Sequence, residues 1–233
     1  MKNFWEDVIS HILKEANAKK IVEIGSATGA NTLKLLEYCN NNDGQLVSID
    51  PAPAFDYVSL EKQNKVFKLM KDISLKALPK IKEYDAVLID GDHNWYTVYH
   101  ELKLIEKHAE KNGKFPIVFL HDVEWPYARR DMYYSPETIP AEFKKPYAKR
   151  GILKGQSKLR EVENIGFNYK LNNAIFEGGE KNGVLTAIED FLKESAIICR
   201  FYKIKPHCGL GILINDKKVE ILLEKIIKSY EDN

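Results

Sequence analysis

The sequence predicts an α/β fold organised as a doubly wound, mostly parallel sheet. Three observations predict it. Short apolar runs are continuous rather than alternating, helix-spaced apolar stripes separate them, and several runs close on a glycine or an acidic residue. Strands buried on both faces by helices read this way. With 233 residues the chain is long enough for a sizeable core. A single domain over 1–233 is expected, with an insertion at 123–182.

Taken in order, Phe4, Trp5, Val8, Ile9, Ile12 and Leu13 recur at helical spacing and open the chain with an amphipathic helix. Ile21 to Ile24 form the first strand, stopped by Gly25, and Leu33, Leu35 and Leu36 mark the next helix. Gln45 to Ile49 form the second strand, ending at Asp50. Val66 to Met70 is the third strand. Leu75 to Ile81 is a short helix that Pro79 disturbs near its end. Ala86 to Ile89 is the fourth strand, closing on Asp90. Trp95, Val98, Leu102, Ile105 and Ala109 then give a clear helix stripe, and Pro116 to Leu120 form a fifth strand ending at His121 and Asp122.

From Val123 to about Asn182 the rhythm breaks. Pro126, Pro136, Pro140 and Pro146, many aromatics and the pair Gly178–Gly179 point to a lid or insertion carrying short helices. Regularity returns with Val184, Leu185, Ile188 and Leu192 on one helix. Ile197 to Ile204 and Leu210 to Ile214 follow as two strands joined across Pro206 to Gly209, short enough for an antiparallel pair at a sheet edge. Val219 to Ile227 is the closing helix.

Charge narrows the partners. Lys plus Arg number 35 against 34 Asp plus Glu, so no overall field draws nucleic acid or an acidic membrane. Cys39, Cys199 and Cys208 are odd in number and widely spaced. That disfavours a disulfide scaffold or a cysteine zinc site and suits a reducing cytoplasm. No run of ~18 apolar residues suggests a membrane span, and none at the start suggests a leader.

The first strand ends in Val22-Glu23-Ile24-Gly25-Ser26-Ala27-Thr28-Gly29-Ala30-Asn31. Open α/β sheets bind ligands at such strand ends. Ala27 stands where a dinucleotide G-x-G-x-x-G needs its second glycine, so an NAD-dependent oxidoreductase is disfavoured. Glu23 would repel a diphosphate yet accept donors from a neutral or cationic ligand, and Asp50 suits the two hydroxyls of a ribose. Alternatively, Glu23 satisfies the N–H groups of the turn and Asp50 caps a helix.

Over Lys20 to about Asp122 the chain resembles the class I S-adenosylmethionine-dependent methyltransferases. Tyr84-Asp85-Ala86-Val87-Leu88-Ile89-Asp90-Gly91-Asp92-His93 is similar to the fourth-strand motif of small-molecule O-methyltransferases. The resemblance implies a seven-stranded Rossmann-like methyltransferase sheet with an antiparallel last strand, matching the hairpin at Ile197 to Ile214. It also implies an S-adenosylmethionine site: Gly25, Ser26 and Gly29 around the methionine portion, Glu23 near its amino group, Asp50 on the ribose, Asp72 beside the adenine, with Asp90 completing the set.

Asp90, Asp92, His93, His121 and Asp122 end the fourth and fifth strands, which are expected to be neighbours. Asp90, His121 and Asp122 are candidate ligands for Mg or Mn, oxygen donors with one imidazole. His93 is the candidate general base, with Asp90 and His121 as further catalytic candidates. Structural readings stand beside these: Asp90 as a turn cap, His121 as a donor to a backbone carbonyl, His93 as a packing residue. After the fifth strand, Trp125, Tyr127, Arg129 and Arg130 join Asp92 and His93 as substrate-binding candidates, or else build the core of the lid. Residues Ile89 to Pro140 resemble bacterial methyltransferases of surface-polysaccharide or secondary-metabolite sugar modification. That implies polysaccharide biosynthesis, a sugar or glycan-like hydroxyl as acceptor, and a homo-oligomer is compatible with it. A nonenzymatic S-adenosylmethionine or nucleoside sensor is the alternative.

Overall fold

The computed structural model describes residues 1–162 and 164–231. Glu163, inside the expected 123–182 insertion, and Asp232 and Asn233 lie outside the described residues. In chain order the strands are β1 Lys20–Ile24, β2 Gln45–Ile49, β3 Phe67–Met70, β4 Ala86–Ile89, β5 Ile117–His121, β6 Met132–Tyr133, β7 Tyr147–Lys149, β8 Asn172–Ala174, β9 Arg200–Ile204 and β10 Leu210–Ile214. The α-helices are α1 Ser10–Glu15, α2 Ala30–Asn41, α3 Tyr57–Gln63, α4 Ser74–Ala77, α5 Trp95–Asn112, α6 Val184–Glu194 and α7 Lys217–Glu231.

Seven strands form one sheet in the order β3-β2-β1-β4-β5-β10-β9. β1 to β5 pair in parallel, and β10 runs antiparallel to both β5 and β9. This is the doubly wound sheet with a reversed last strand that the resemblance implies. Strand order changes direction between β1 and β4, which makes their C-terminal ends the ligand crevice of such a sheet.

Two compact units divide the chain. The first comprises Met1–Gly91, Leu104–His121 and the segment from Ile197 onward, and the second comprises Asp92–Lys103 and Asp122–Ala196. In the first unit, register places Ile21, Leu46, Phe67, Ala86, Leu88, Phe119 and Ile212 on one sheet face. They share a core with Phe4, Val8, Ile12, Leu35, Val219 and Leu223. Each large side chain taken fully out of water there contributes about 1.5–3 kcal/mol before entropic costs.

Several elements depart from expectation. The opening helix starts as a 3-10 turn, Lys2–Phe4, and a π turn, Trp5–Ile9, before α1, with all six apolar residues of the stripe buried. The Leu75–Ile81 helix gives way at Leu78–Lys80 to a 3-10 turn that contains Pro79. Helix α3 is unmarked by any apolar stripe because none of its residues is buried, and Asp56 caps it by accepting the Ser59 N–H at 3.0 Å. Leu33, expected on a buried stripe, is 55% exposed.

The second unit carries short helices in 123–182, as expected, and adds a small sheet that the sequence did not announce. It holds a three-stranded antiparallel sheet, β6-β8-β7, and two 3-10 turns, Pro136–Thr138 and Ala141–Phe143. Strands of two or three residues are too short to show alternation. Among the described residues no helix is long and apolar enough to cross a membrane.

Candidate active site

In the first unit the glycine turn follows β1 directly. Gly25 has φ +87°, and a Cβ there would lie 2.2 Å from the Asp90 carbonyl oxygen. The turn therefore presses against the end of β4 so closely that only glycine fits. Gly29, at φ +79°, begins α2, and Ala27 also adopts the left-handed region at φ +44°. The position where the commonest motif has glycine thus keeps a glycine-like backbone although its residue is alanine.

Asp50, at the end of β2, holds this turn in place. One carboxylate oxygen accepts the backbone N–H groups of Ser26 and Ala27, each at 2.8 Å, and the Ser26 hydroxyl at 3.0 Å. The other accepts the N–H of Ala52 at 2.8 Å. Glu23 is 1% exposed and accepts from Ser48 Oγ at 2.6 Å, Thr32 Oγ1 at 2.7 Å and Asn31 Nδ2 at 2.9 Å. Burial pushes its carboxyl upward, against those three hydrogen bonds. Asp50 thus carries the N–H groups of the turn, which the sequence alternative gave to Glu23, and Glu23 ties β1 to β2 and to the start of α2.

Asn31 closes the segment after β1 and carries no role in the sequence reading. Its Oδ1 is buried with no hydrogen-bond partner, while its Nδ2 is committed to Glu23. Asp72 follows β3 and pairs with Lys80 at 3.1 Å and the Ile73 N–H at 2.9 Å, which hold it below the usual carboxylate range. Asp90 Oδ1 lies 3.2 Å from His121 Nδ1, and Asp90 Oδ2 accepts from the Met1 α-amino group at 3.2 Å. Parallel pairing of β4 with β5 brings the last two expected residues together, across a gap of more than thirty positions.

In the second unit, His93 Nε2 lies 3.5 Å from Asp122 Oδ2, with both side chains largely buried. The imidazole stacks on Tyr127 at 5.4 Å between centroids and sits 6.0 Å from the Tyr134 ring. Asp122 has φ +61°, a backbone state costly for a side-chain residue. Asp92 accepts from Thr97 Oγ1 at 3.1 Å, and burial pushes its carboxyl up against that bond and one from the Tyr134 backbone N–H.

The remaining substrate candidates sit inside the second unit. Tyr127 is 3% exposed, with its hydroxyl donating to Asn173 Oδ1 and accepting from Asn168 Nδ2. Trp125 packs on Phe167, and its Nε1 is buried without a hydrogen-bond partner. Arg129 forms a bidentate pair with Glu189, both bonds 2.6 Å. Arg130 is fully buried and donates to the carbonyl oxygens of Ala174 and Ser157. In this arrangement both guanidinium groups hold protein, as in the lid-core reading.

Asp131 is the main residue that sequence reasoning missed here. It accepts the N–H groups of Trp95 and Gly183, each at 2.7 Å, and the Tyr133 hydroxyl at 2.8 Å. One carboxylate thereby serves the starts of both α5 and α6. Burial pushes its pKa up to about 6. No local pattern announces it, because its partners lie far away in sequence.

A family model described as a methyltransferase domain matches residues 22–123. No curated protein matches the chain. Among solved structures, an S-adenosylhomocysteine-bound methyltransferase from Podospora anserina is similar at 15% identity, over 89% of this chain and 76% of that one, with a TM-score of 0.52. A candidate O-methyltransferase from Klebsiella pneumoniae is similar at 14% identity, over 92% of this chain and 80% of that one, with a TM-score of 0.50. At such identities the likeness is one of fold. Residues 22–123 thus carry the methyltransferase-domain match, and the sheet has the strand order of the class I methyltransferase fold.

Proposed function

We propose that the chain is an O-methyltransferase acting on a hydroxyl of a sugar or glycan-like small molecule. The observation that carries this reading is the His93–Asp122 pair, an imidazole held beside a buried carboxylate and stacked on Tyr127. An alcohol is a poor nucleophile until its proton leaves, and a histidine braced by a carboxylate is suited to take it. The sugar assignment rests on the resemblance of Ile89 to Pro140 to sugar-modifying methyltransferases. It implies a role in polysaccharide biosynthesis in the cytoplasm.

S-adenosylmethionine, when bound, supplies an electrophilic methyl on a sulfonium. Gly25, Ser26 and Gly29 would face its methionine portion, with Asp50, Asp72 and Asp90 along the nucleoside. The orphaned Asn31 Oδ1 fits such a ligand, since a ligand ammonium would satisfy an acceptor that the protein leaves unpaired. Asp50 would act on the ribose only through a turn it already holds. Residues 123–182 would serve as the acceptor lid, excluding water once closed.

Metal assistance is the finer part of the proposal. Asp90 and His121 stand 3.2 Å apart and Asp122 is the next residue along the chain. Two carboxylates and an imidazole suit Mg or, better, Mn. Such an ion would lower the pKa of an acceptor hydroxyl. The test is transfer of labelled methyl from S-adenosylmethionine to methyl glycosides and bacterial polysaccharide fractions, with and without EDTA. Transfer that EDTA abolishes and Mn restores supports the full reading. Transfer unchanged by EDTA removes the metal and keeps the histidine. Tight donor binding with no transfer to any acceptor rejects the reaction in favour of a sensor.

A further inference from the structure

The run Met132-Tyr133-Tyr134 treats three neighbouring side chains very differently. Met132 and Tyr133 are fully buried, whereas Tyr134 is 58% exposed. Exposure of one aromatic ring is ordinary by itself. The backbone beneath this one is not. Met132 donates its N–H to the His93 carbonyl at 2.9 Å, and the Tyr133 hydroxyl is fixed on Asp131 at 2.8 Å. The Tyr134 N–H is itself held by the buried carboxylate of Asp92. The ring projects from a chain anchored at the preceding two residues, 6.0 Å from the His93 imidazole and tilted 57° to it. The other ring partner of that imidazole, Tyr127, is buried, and its hydroxyl bonds Asn168 and Asn173.

We propose that Tyr134 is the acceptor platform, a solvent-exposed ring against which the C–H side of a sugar rests so that one of its hydroxyls reaches His93. This deepens the proposed reaction and rests on it. Anchoring at Met132 and Tyr133 fits the role because a stacking surface beside ordered chain loses less entropy when the acceptor arrives. Openness argues for a sugar rather than a flat aromatic acceptor. Aromatic ligands are usually enclosed between apolar walls, whereas a sugar offers one apolar face and a rim of hydroxyls that remain solvated or hydrogen-bonded. It also gives Asp92 a purpose: its buried carboxylate positions Tyr134 through the main chain without touching the acceptor.

The experiment uses the full chain with labelled S-adenosylmethionine and methyl glucoside, methyl galactoside and methyl mannoside as acceptors, alongside saturation-transfer NMR of the same glycosides. Tyr134→Ala should raise the acceptor KM roughly tenfold, the equivalent of ~1.4 kcal/mol, with kcat and S-adenosylhomocysteine affinity nearly unchanged. Tyr134→Phe and Tyr134→Trp should restore the KM, since a ring rather than a hydroxyl is required. Saturation transfer to the glycoside C–H protons should vanish in Tyr134→Ala and persist in Tyr134→Phe. An unchanged KM in Tyr134→Ala, or a Phe variant as impaired as the Ala variant, overturns the platform while leaving methyl transfer to sugars intact. If the native chain neither methylates nor contacts any glycoside, yet methylates a catechol, the sugar reading and the platform fall together.

Discussion

Asp50 grips Ser26 twice, accepting its backbone N–H at 2.8 Å and its hydroxyl at 3.0 Å on the same carboxylate oxygen. A residue expected to face a ribose is thus part of the support for the glycine turn. Asp50→Ala should lower unfolding free energy by about 2–4 kcal/mol, because several buried donors lose a charged acceptor. Urea denaturation measures that loss, and titration with S-adenosylhomocysteine should show weaker binding in parallel. A variant with native stability and only weaker nucleoside binding would instead make Asp50 a pure ligand contact.

Two of the three positive-φ positions of the turn, Gly25 and Ala27, predict opposite outcomes. Gly25→Ala puts a methyl group into the Asp90 carbonyl at 2.2 Å and should destabilise by about 3 kcal/mol or more while abolishing donor binding. Ala27→Gly relieves a left-handed alanine, worth about 1–2 kcal/mol, against an unfolded-state entropy cost of about 0.4–1 kcal/mol. A small net gain in thermal midpoint is expected, and a clear loss would show that the Ala27 methyl packs usefully.

Asp131 makes stability depend on pH in an identifiable direction. Its folded pKa is about 6, above the ordinary aspartate value near 4. Between those values the native state binds more protons than the unfolded chain. The contribution of this group therefore weakens the fold as pH rises from about 4 to 6 and levels off above that. Its size is on the order of 3 kcal/mol. Asp131→Asn should raise the urea midpoint at pH 7 relative to that at pH 4.5, compared with the native protein. An identical difference in both would remove Asp131 as the source.

His93 tests the base. His93→Gln keeps a polar side chain of similar reach but cannot take a proton near neutral pH. Turnover should fall by roughly 10²–10⁴-fold, with S-adenosylhomocysteine affinity unchanged in a calorimetric titration. Asp122→Asn should lower turnover as well, since it removes the charge that stabilises an imidazolium. Near-native turnover in His93→Gln would leave proton removal to a metal or to solvent.

The amino-acid order by itself determined the sheet. Ile21–Ile24, Gln45–Ile49, Ala86–Ile89 and Leu210–Ile214 were legible because strands covered on both faces are predominantly apolar, and Gly25, Asp50 and Asp90 punctuate their ends. The resemblance added the strand order and the cofactor. Tertiary structure decided what each polar residue does. Which carboxylate holds the N–H groups of the glycine turn, whether Arg130 meets solvent or the Ala174 carbonyl, and which carboxylate serves two helix starts all depend on partners tens of positions away. Hydrophobic burial leaves a periodic mark along the chain. A hydrogen bond between distant residues leaves none, so its ends become visible only when folding brings them within 3 Å of each other.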